Sequence, residues 1–248
     1  MSTKRWLVRL SGSPGDLEDL ATSFTSDDRR VFKESDLFYL TSSDYLPEMD
    51  ANEVRQRALE HIQMMNGSAI LQFLNNRQVK IDDVISQNQD GTRIHYMTIV
   101  AETVSARARG TLSAVSNGSE RIVPSTPTMA AWVSLAAQDG AIQKALRILG
   151  ESVHDWVDLY KLYEVVEEDV GGSEKDGQKK IIRNGWANKE KIELFKHTAN
   201  CTKAIGDASR HGHSRWEQPD KPMTIAEAKS LIFPLLVQWM DSKIPRTP

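Results

Sequence analysis

Apolar positions recur in two ways along this chain. They come in short runs or at every second residue through much of the first half, and at helical spacing through the second. Residues 4–10 are apolar and β-prone and end at Ser11-Gly-Ser-Pro-Gly15, which predicts a first strand and a turn. Asp16 then offers a cap for a short helix over 17–24, with Leu17, Leu20, Ala21 and Phe24 on one face. Residues 30–35 and 37–43 read as two strands. Val54, Ala58, Leu59, Ile62 and Met65 set a helical period over 52–66. Gly67-Ser68 interrupts that period, and the apolar run 69–74 reads as a buried strand. Another strand is expected over 79–86, and Asp90-Gly91 signals a hairpin into 93–104. His61 and His95 read as ordinary surface or core histidines, and 101–114 fits either a strand or a helix.

The stretch 116–127, polar with two prolines and a glycine, is the expected domain boundary. Beyond it, 128–149 carries a broad apolar helical face with a weak point at Gly140, and Gly150 closes that helix. Ser152 would cap the next, 153–170, whose Trp156, Leu159, Tyr160, Tyr163 and Val166 follow the helical period; the aromatic stripe reads as core rather than a stacking platform. Gly171-Gly172 stops it. Residues 174–180 read as a solvated tip. A short helix runs from Asn188 to about His197, and Thr224 caps a last helix to about Ser242, with a kink expected at Pro234. The expected fold class is α+β: a small mixed recognition or packing module over 1–116, then an all-helical bundle over 127–244.

Composition narrows the function classes. A net charge of −3 gives no global pull toward nucleic acid or an anionic membrane, so such binding has to come from a local patch. Charge is unevenly placed. Residues 151–170 hold seven Asp/Glu and one Lys, whereas 173–221 hold eleven Lys/Arg and seven Asp/Glu. No apolar run is long enough to span a bilayer, and the N-terminus lacks signal-peptide character. One cysteine rules out an internal disulfide and fits a reducing compartment, so a cytoplasmic location is expected, with no membrane partner.

The segment 195–216 concentrates the candidate chemistry. It holds His197, His211 and His213, the only cysteine, Cys201, and Arg210 beside His211. Three readings fit. In the first, Arg210 stabilises a pentacovalent phosphate while His211 and His213 act as acid and base on an RNA 2′-hydroxyl and leaving oxygen. Lys196, Lys203 and Arg215 then contact phosphates, Trp216 stacks on a base, and no cofactor is needed. In the second, His197, Cys201, His211 and His213 bind zinc. In the third, the histidines bond backbone carbonyls and the basic segment docks on the acidic helix 153–170.

The segment Thr198-Ala-Asn200, Gly206, Arg210-His-Gly212, Pro222, Met223 and Glu227-Ala228, followed by a final helix, resembles the C-terminal helical domains of HEPN-type proteins and of bacterial proteins carrying the same motif. The resemblance covers about the last third of the chain. It implies a helical fold, an RNA partner, a homodimer or other protein partner, and a metal-independent endoribonuclease or a non-catalytic binding and assembly module in a toxin or antiviral defence system. HEPN ribonucleases use an arginine and a histidine four to six residues apart. Here Arg210 and His213 are closer, and the family's interval occurs at Arg147-Ile-Leu-Gly-Glu-Ser-Val-His154.

Overall fold

The computed structural model describes residues 4–73, 78–97, 128–151, 154–171, 174–210 and 217–245. Its strands are β1 (Arg5–Ser11), β2 (Thr25–Ser26), β3 (Arg29–Glu34), β4 (Leu37–Ser42), β5 (Lys80–Gln87) and β6 (Arg93–Tyr96). Its helices are α1 (Pro14–Ser23), α2 (Ala51–Phe73), α3 (Thr128–Ala136), α4 (Gly140–Glu151), α5 (Trp156–Gly171), α6 (Glu174–Arg183), α7 (Lys189–Ala199), α8 (Thr202–Ile205) and α9 (Ile225–Lys243). The protein is therefore mixed α+β.

The strands form one antiparallel sheet in the order β2-β3-β4-β1-β5-β6. Because side chains alternate across a strand, β1 serves two faces. Trp6, Val8 and Leu10 join Val31, Phe38, Leu40 and Val84 in the main core with α1 and α2. Leu7, Tyr39 and Ile85 form a small cluster with Phe32 on the other face. The β5–β6 hairpin turns where the sequence indicates, with Gly91 at φ 85° and Asp90 Oδ1 accepting the Thr92 N–H at 2.9 Å. The remainder of 93–104, all of 101–114 and the expected boundary at 116–127 lie outside the described residues.

Helix α2 corrects the expected strand at 69–74: the helix runs on through Gly67-Ser68 to Phe73. A short apolar run is equally consistent with a buried helical turn, and here Ile70 and Leu71 are buried as one. The interrupting glycine is a packing feature. A Cβ at Gly67 would collide with the Leu146 carbonyl of α4, and a Cβ at Gly150 would collide with the Gln63 carbonyl of α2. The two helices thus cross backbone to backbone at a reciprocal pair of glycines. Asn66 secures the end of this frame, its amide exchanging hydrogen bonds of 2.9 and 3.0 Å with the backbone of Val79 beside β5.

The expected helix 128–149 is two helices. Asp139 separates them, its Oδ1 accepting the N–H groups of Ala141 and Ile142 at 3.0 and 3.1 Å, so that Gly140 starts α4 rather than weakening a longer helix. Helix α5 starts at Trp156, capped by Asp155, whose Oδ1 accepts the Asp158 N–H; Ser152 lies outside the described residues. The expected solvated tip at 174–180 is the start of α6. That helix packs against α5 through Gly177, where a Cβ would meet the Glu167 carbonyl. Its first turns meet α5 through a small residue, and its apolar contact comes only at Ile181, beyond the expected tip. Helix α9 is uninterrupted by Pro234 and opens on a capping box, Thr224 with Glu227. Its last turn is held by Trp132 Nε1–H to Asp241, Trp239 Nε1–H to Asp169, and Lys243 between Asp139 and Asp169. One apolar cluster runs from Trp6 on β1 through α2 and α4 to Trp239 on α9.

Overpacking a closed backbone contact costs about 1–3 kcal/mol. Gly67→Ala and Gly150→Ala are each expected to destabilise by about 2 kcal/mol or more in urea denaturation. Because both open the same crossing, the double variant should lose less than the sum.

Candidate functional site

The segment 195–217 is built on α7. Asn188 caps this helix, accepting the Glu190 and Lys191 N–H groups, and Ile192, Phe195 and Ala199 are buried. Phe195 is packed by the aromatic stripe of α5, with ring centroids 6.1 Å from Trp156, 5.8 Å from Tyr160 and 6.0 Å from Tyr163. Those aromatics are core, as their spacing predicts. The fixed orientation of α7 turns Lys196 toward α5, where it lies 3.5 Å from the buried Glu167 carboxylate that also accepts the Tyr163 hydroxyl at 2.8 Å.

Three hydrogen bonds then tie the following chain back onto α7. The Arg210 N–H donates to the Ala199 carbonyl at 3.0 Å. His197 Nε2–H donates to the Glu217 carbonyl at 2.7 Å, and the Met223 N–H donates to Thr198 Oγ1 at 3.1 Å. Both flanks of 211–216 are therefore pinned to one helix. His211, His213, Arg215 and Trp216 themselves lie outside the described residues.

The described cations of this segment are paired. Arg210 lies 2.8 Å from Glu164 and 4.4 Å above the Tyr160 ring. Lys203 lies 3.3 Å from Glu217. The acidic face of α5 thus receives the basic segment through Glu164 and Glu167. Of the zinc-compatible set, His197 is committed to a backbone carbonyl, and Cys201 is buried just before α8. Among the described residues no group of three or more His, Cys, Asp or Glu is placed to hold a metal ion. The pair at the family interval does not converge: Arg147 is exposed, whereas His154 is buried, donates from Nε2 to the Leu149 carbonyl at 2.7 Å and packs edge-on against Phe233.

Two polar constellations escape a sequence reading. In the first, His61 on α2 faces Arg29 on β3 and the Asp44-Tyr45 turn. Arg29 Nη2 is 3.2 Å from His61 Nε2, the Tyr45 hydroxyl is 3.1 Å from Nδ1, and Asp44 Oδ2 is 3.2 Å from Nε2. Burial first, and then the Arg29 charge, push the His61 pKa down to about 4. In the neutral ring Nε2 either accepts from Arg29 or donates to Asp44, and the Tyr45 hydroxyl takes the complementary role at Nδ1. The usable signal is position, since His61 falls on the apolar stripe of Val54, Ala58 and Met65. In the second, His95 on β6 donates from Nδ1 to Asp83 Oδ2 at 2.6 Å. Asp83 is fully buried, and its Oδ1 has no hydrogen-bond partner among the described residues. The His95 ring itself is half-exposed.

Comparison with protein-family models, with curated proteins and with solved structures returned no match.

The His61 cluster carries a pH prediction. Its folded pKa lies below the ordinary value of about 6.5, so the unfolded chain takes up the proton first as pH falls. Stability contributed by the neutral ring is present above pH 6.5 and is lost between about 6.5 and 4, amounting to about 3 kcal/mol. Denaturant titrations at pH 7 and 4.5 are expected to show this loss in the parent chain and a markedly smaller one in His61→Gln.

Proposed function

We propose that this chain is a cytoplasmic, HEPN-like bacterial protein that engages RNA through the segment 196–216 in a defence or toxin setting. In this reading 127–244 serves as its helical bundle and 1–116 as its recognition or packing module. Arg210 stabilises the phosphate. Of His211 and His213, one removes the 2′-hydroxyl proton so that O2′ attacks phosphorus. The other protonates the departing 5′-oxygen, giving a 2′,3′-cyclic phosphate and a free 5′-hydroxyl. Lys196, Lys203 and Arg215 add backbone contacts, Trp216 stacks, and no metal takes part.

The observation that carries this reading is the double tether on α7, Arg210 to Ala199 and His197 to Glu217. It holds the two flanks of the histidine-bearing stretch on a rigid frame, which is how a loop is given a defined chemical presentation. A second reading, a non-catalytic assembly module working as a homodimer or with another protein, is favoured by the pairing of Arg210 with Glu164 and of Lys196 with Glu167. There α5 neutralises Arg210 and Lys196, two of the described cations that the first reading assigns to phosphate. Among the described residues no helix is long and apolar enough to cross a membrane.

Incubating the purified chain with mixed cellular RNA in excess EDTA decides between the readings. Cleavage is expected to persist in the chelator and to fall about 100-fold or more in His211→Ala or His213→Ala, the usual weight of a general acid or base. Glu164→Gln frees Arg210 and is expected to tighten RNA binding by about threefold to tenfold in a filter-binding assay, while shifting stability by less than about 1 kcal/mol because the pair is partly exposed. Background-level RNA loss in all samples, with no gain in Glu164→Gln, selects the assembly module.

A further inference from the structure

The start of α7 and the first half of α9 line a cleft of about 470 Å³, within the range of small-molecule sites. Its walls are chemically divided. Trp186, Leu194, Met223 and Leu231 give an apolar slot bounded by ring and thioether faces. Lys191 and Lys221 also line it. Neither forms an ion pair among the described residues, in contrast to Lys189 with Glu193, Lys196 with Glu167 and Lys203 with Glu217. The carboxylate in the lining, Glu227, is engaged by the cap of α9, accepting the Thr224 N–H at 2.8 Å and its hydroxyl at 2.9 Å. These bonds hold its pKa below the usual carboxylate range. The Lys221 charge also acts on Glu227, so the lining carries two ammonium groups against one carboxylate.

A third element comes from proline chemistry. Helix α9 continues unbroken past Pro234, which has no N–H, so the Ser230 carbonyl lacks the donor that helix geometry would supply four residues on. Ser230 and Pro234 both line the cleft. The site thus combines apolar walls, a pair of cations and, in Ser230, a lining residue whose carbonyl lacks its helical donor. A planar heterocycle with an N–H donor, joined to an anion, meets all three requirements.

We infer that this cleft binds a nucleoside monophosphate unit, with its base in the slot against Trp186 and Leu231, a base N–H on the Ser230 carbonyl and its phosphate between Lys191 and Lys221. The unit comes either from a free nucleotide or from an unpaired residue of single-stranded RNA. The inference uses none of Arg210, His211 or His213, so it stands or falls apart from the reading above.

Isothermal titration calorimetry with the four nucleoside monophosphates, adenosine, ribose 5-phosphate and a single-stranded RNA pentamer tests it. At least one monophosphate is expected to bind more tightly than both adenosine and ribose 5-phosphate, with a dissociation constant on the order of 10–100 μM. Lys191→Glu with Lys221→Glu is expected to weaken it at least tenfold. Pro234→Ala restores a helical N–H to Ser230 without opening the core. It should weaken the nucleotide severalfold while leaving ribose 5-phosphate unchanged. Leu231→Trp should fill the slot and abolish binding, with circular dichroism checking that the variant folds. A pentamer binding tenfold or more tighter than the monophosphate assigns the site to an RNA strand; equal or weaker binding assigns it to a free nucleotide. No heat with any monophosphate at millimolar concentration, equal affinity for ribose 5-phosphate and the nucleotides, or undiminished binding in the double lysine variant overturns the inference.

Discussion

The crossing of α2 and α4 is the constraint on which the rest of this fold depends. At Gly67 and Gly150 the backbones meet with no side chain between them, each glycine facing a carbonyl of the other helix. That closeness brings the helical half onto the back of α2, whose other contacts are with the sheet. Without it, α2 would present an apolar face with no partner, and the core that runs from Trp6 to Trp239 would divide. Backbone contact of this kind tolerates almost no added volume, since packed interiors have no slack to absorb a methyl group.

Much of the frame could be read in the sequence where local chemistry decides it. The caps at Asn188 and Thr224 and the Asp90-Gly91 turn are local devices, and each is found where its residues indicate. Two of the failures share a cause. Whether 69–74 is strand or helix depends on α4 passing at Gly67, and whether 174–183 folds depends on Gly177 meeting α5. Neither neighbour is visible from within its own segment. Small residues at a contact look like breaks to a pattern that searches for apolar side chains.

The candidate site was legible in a different sense. The reversal of charge between 151–170 and 173–221 anticipates the pairing of Arg210 with Glu164 and of Lys196 with Glu167, because opposite fields in one small molecule meet. The Arg29–His61–Tyr45–Asp44 cluster had no such signature. Its members come from a strand, a turn and a helix, and no spacing within one element joins them. The same holds for Asp83 and His95, where the alternation of β5 gave no reason to expect a carboxylate at a buried position.

The place of β1 in the sheet bears on how the chain is made. It precedes its partners in sequence, yet it lies between β4 and β5 and pairs with both. During synthesis, Trp6, Leu7 and Val8 are produced well before Val84 and Ile85, which complete the ladder. Until then β1 is an apolar strand with an open edge, the kind of segment that aggregates or recruits a chaperone on the ribosome. Vectorial synthesis therefore leaves this strand with an open edge until residues 80–87 have been made.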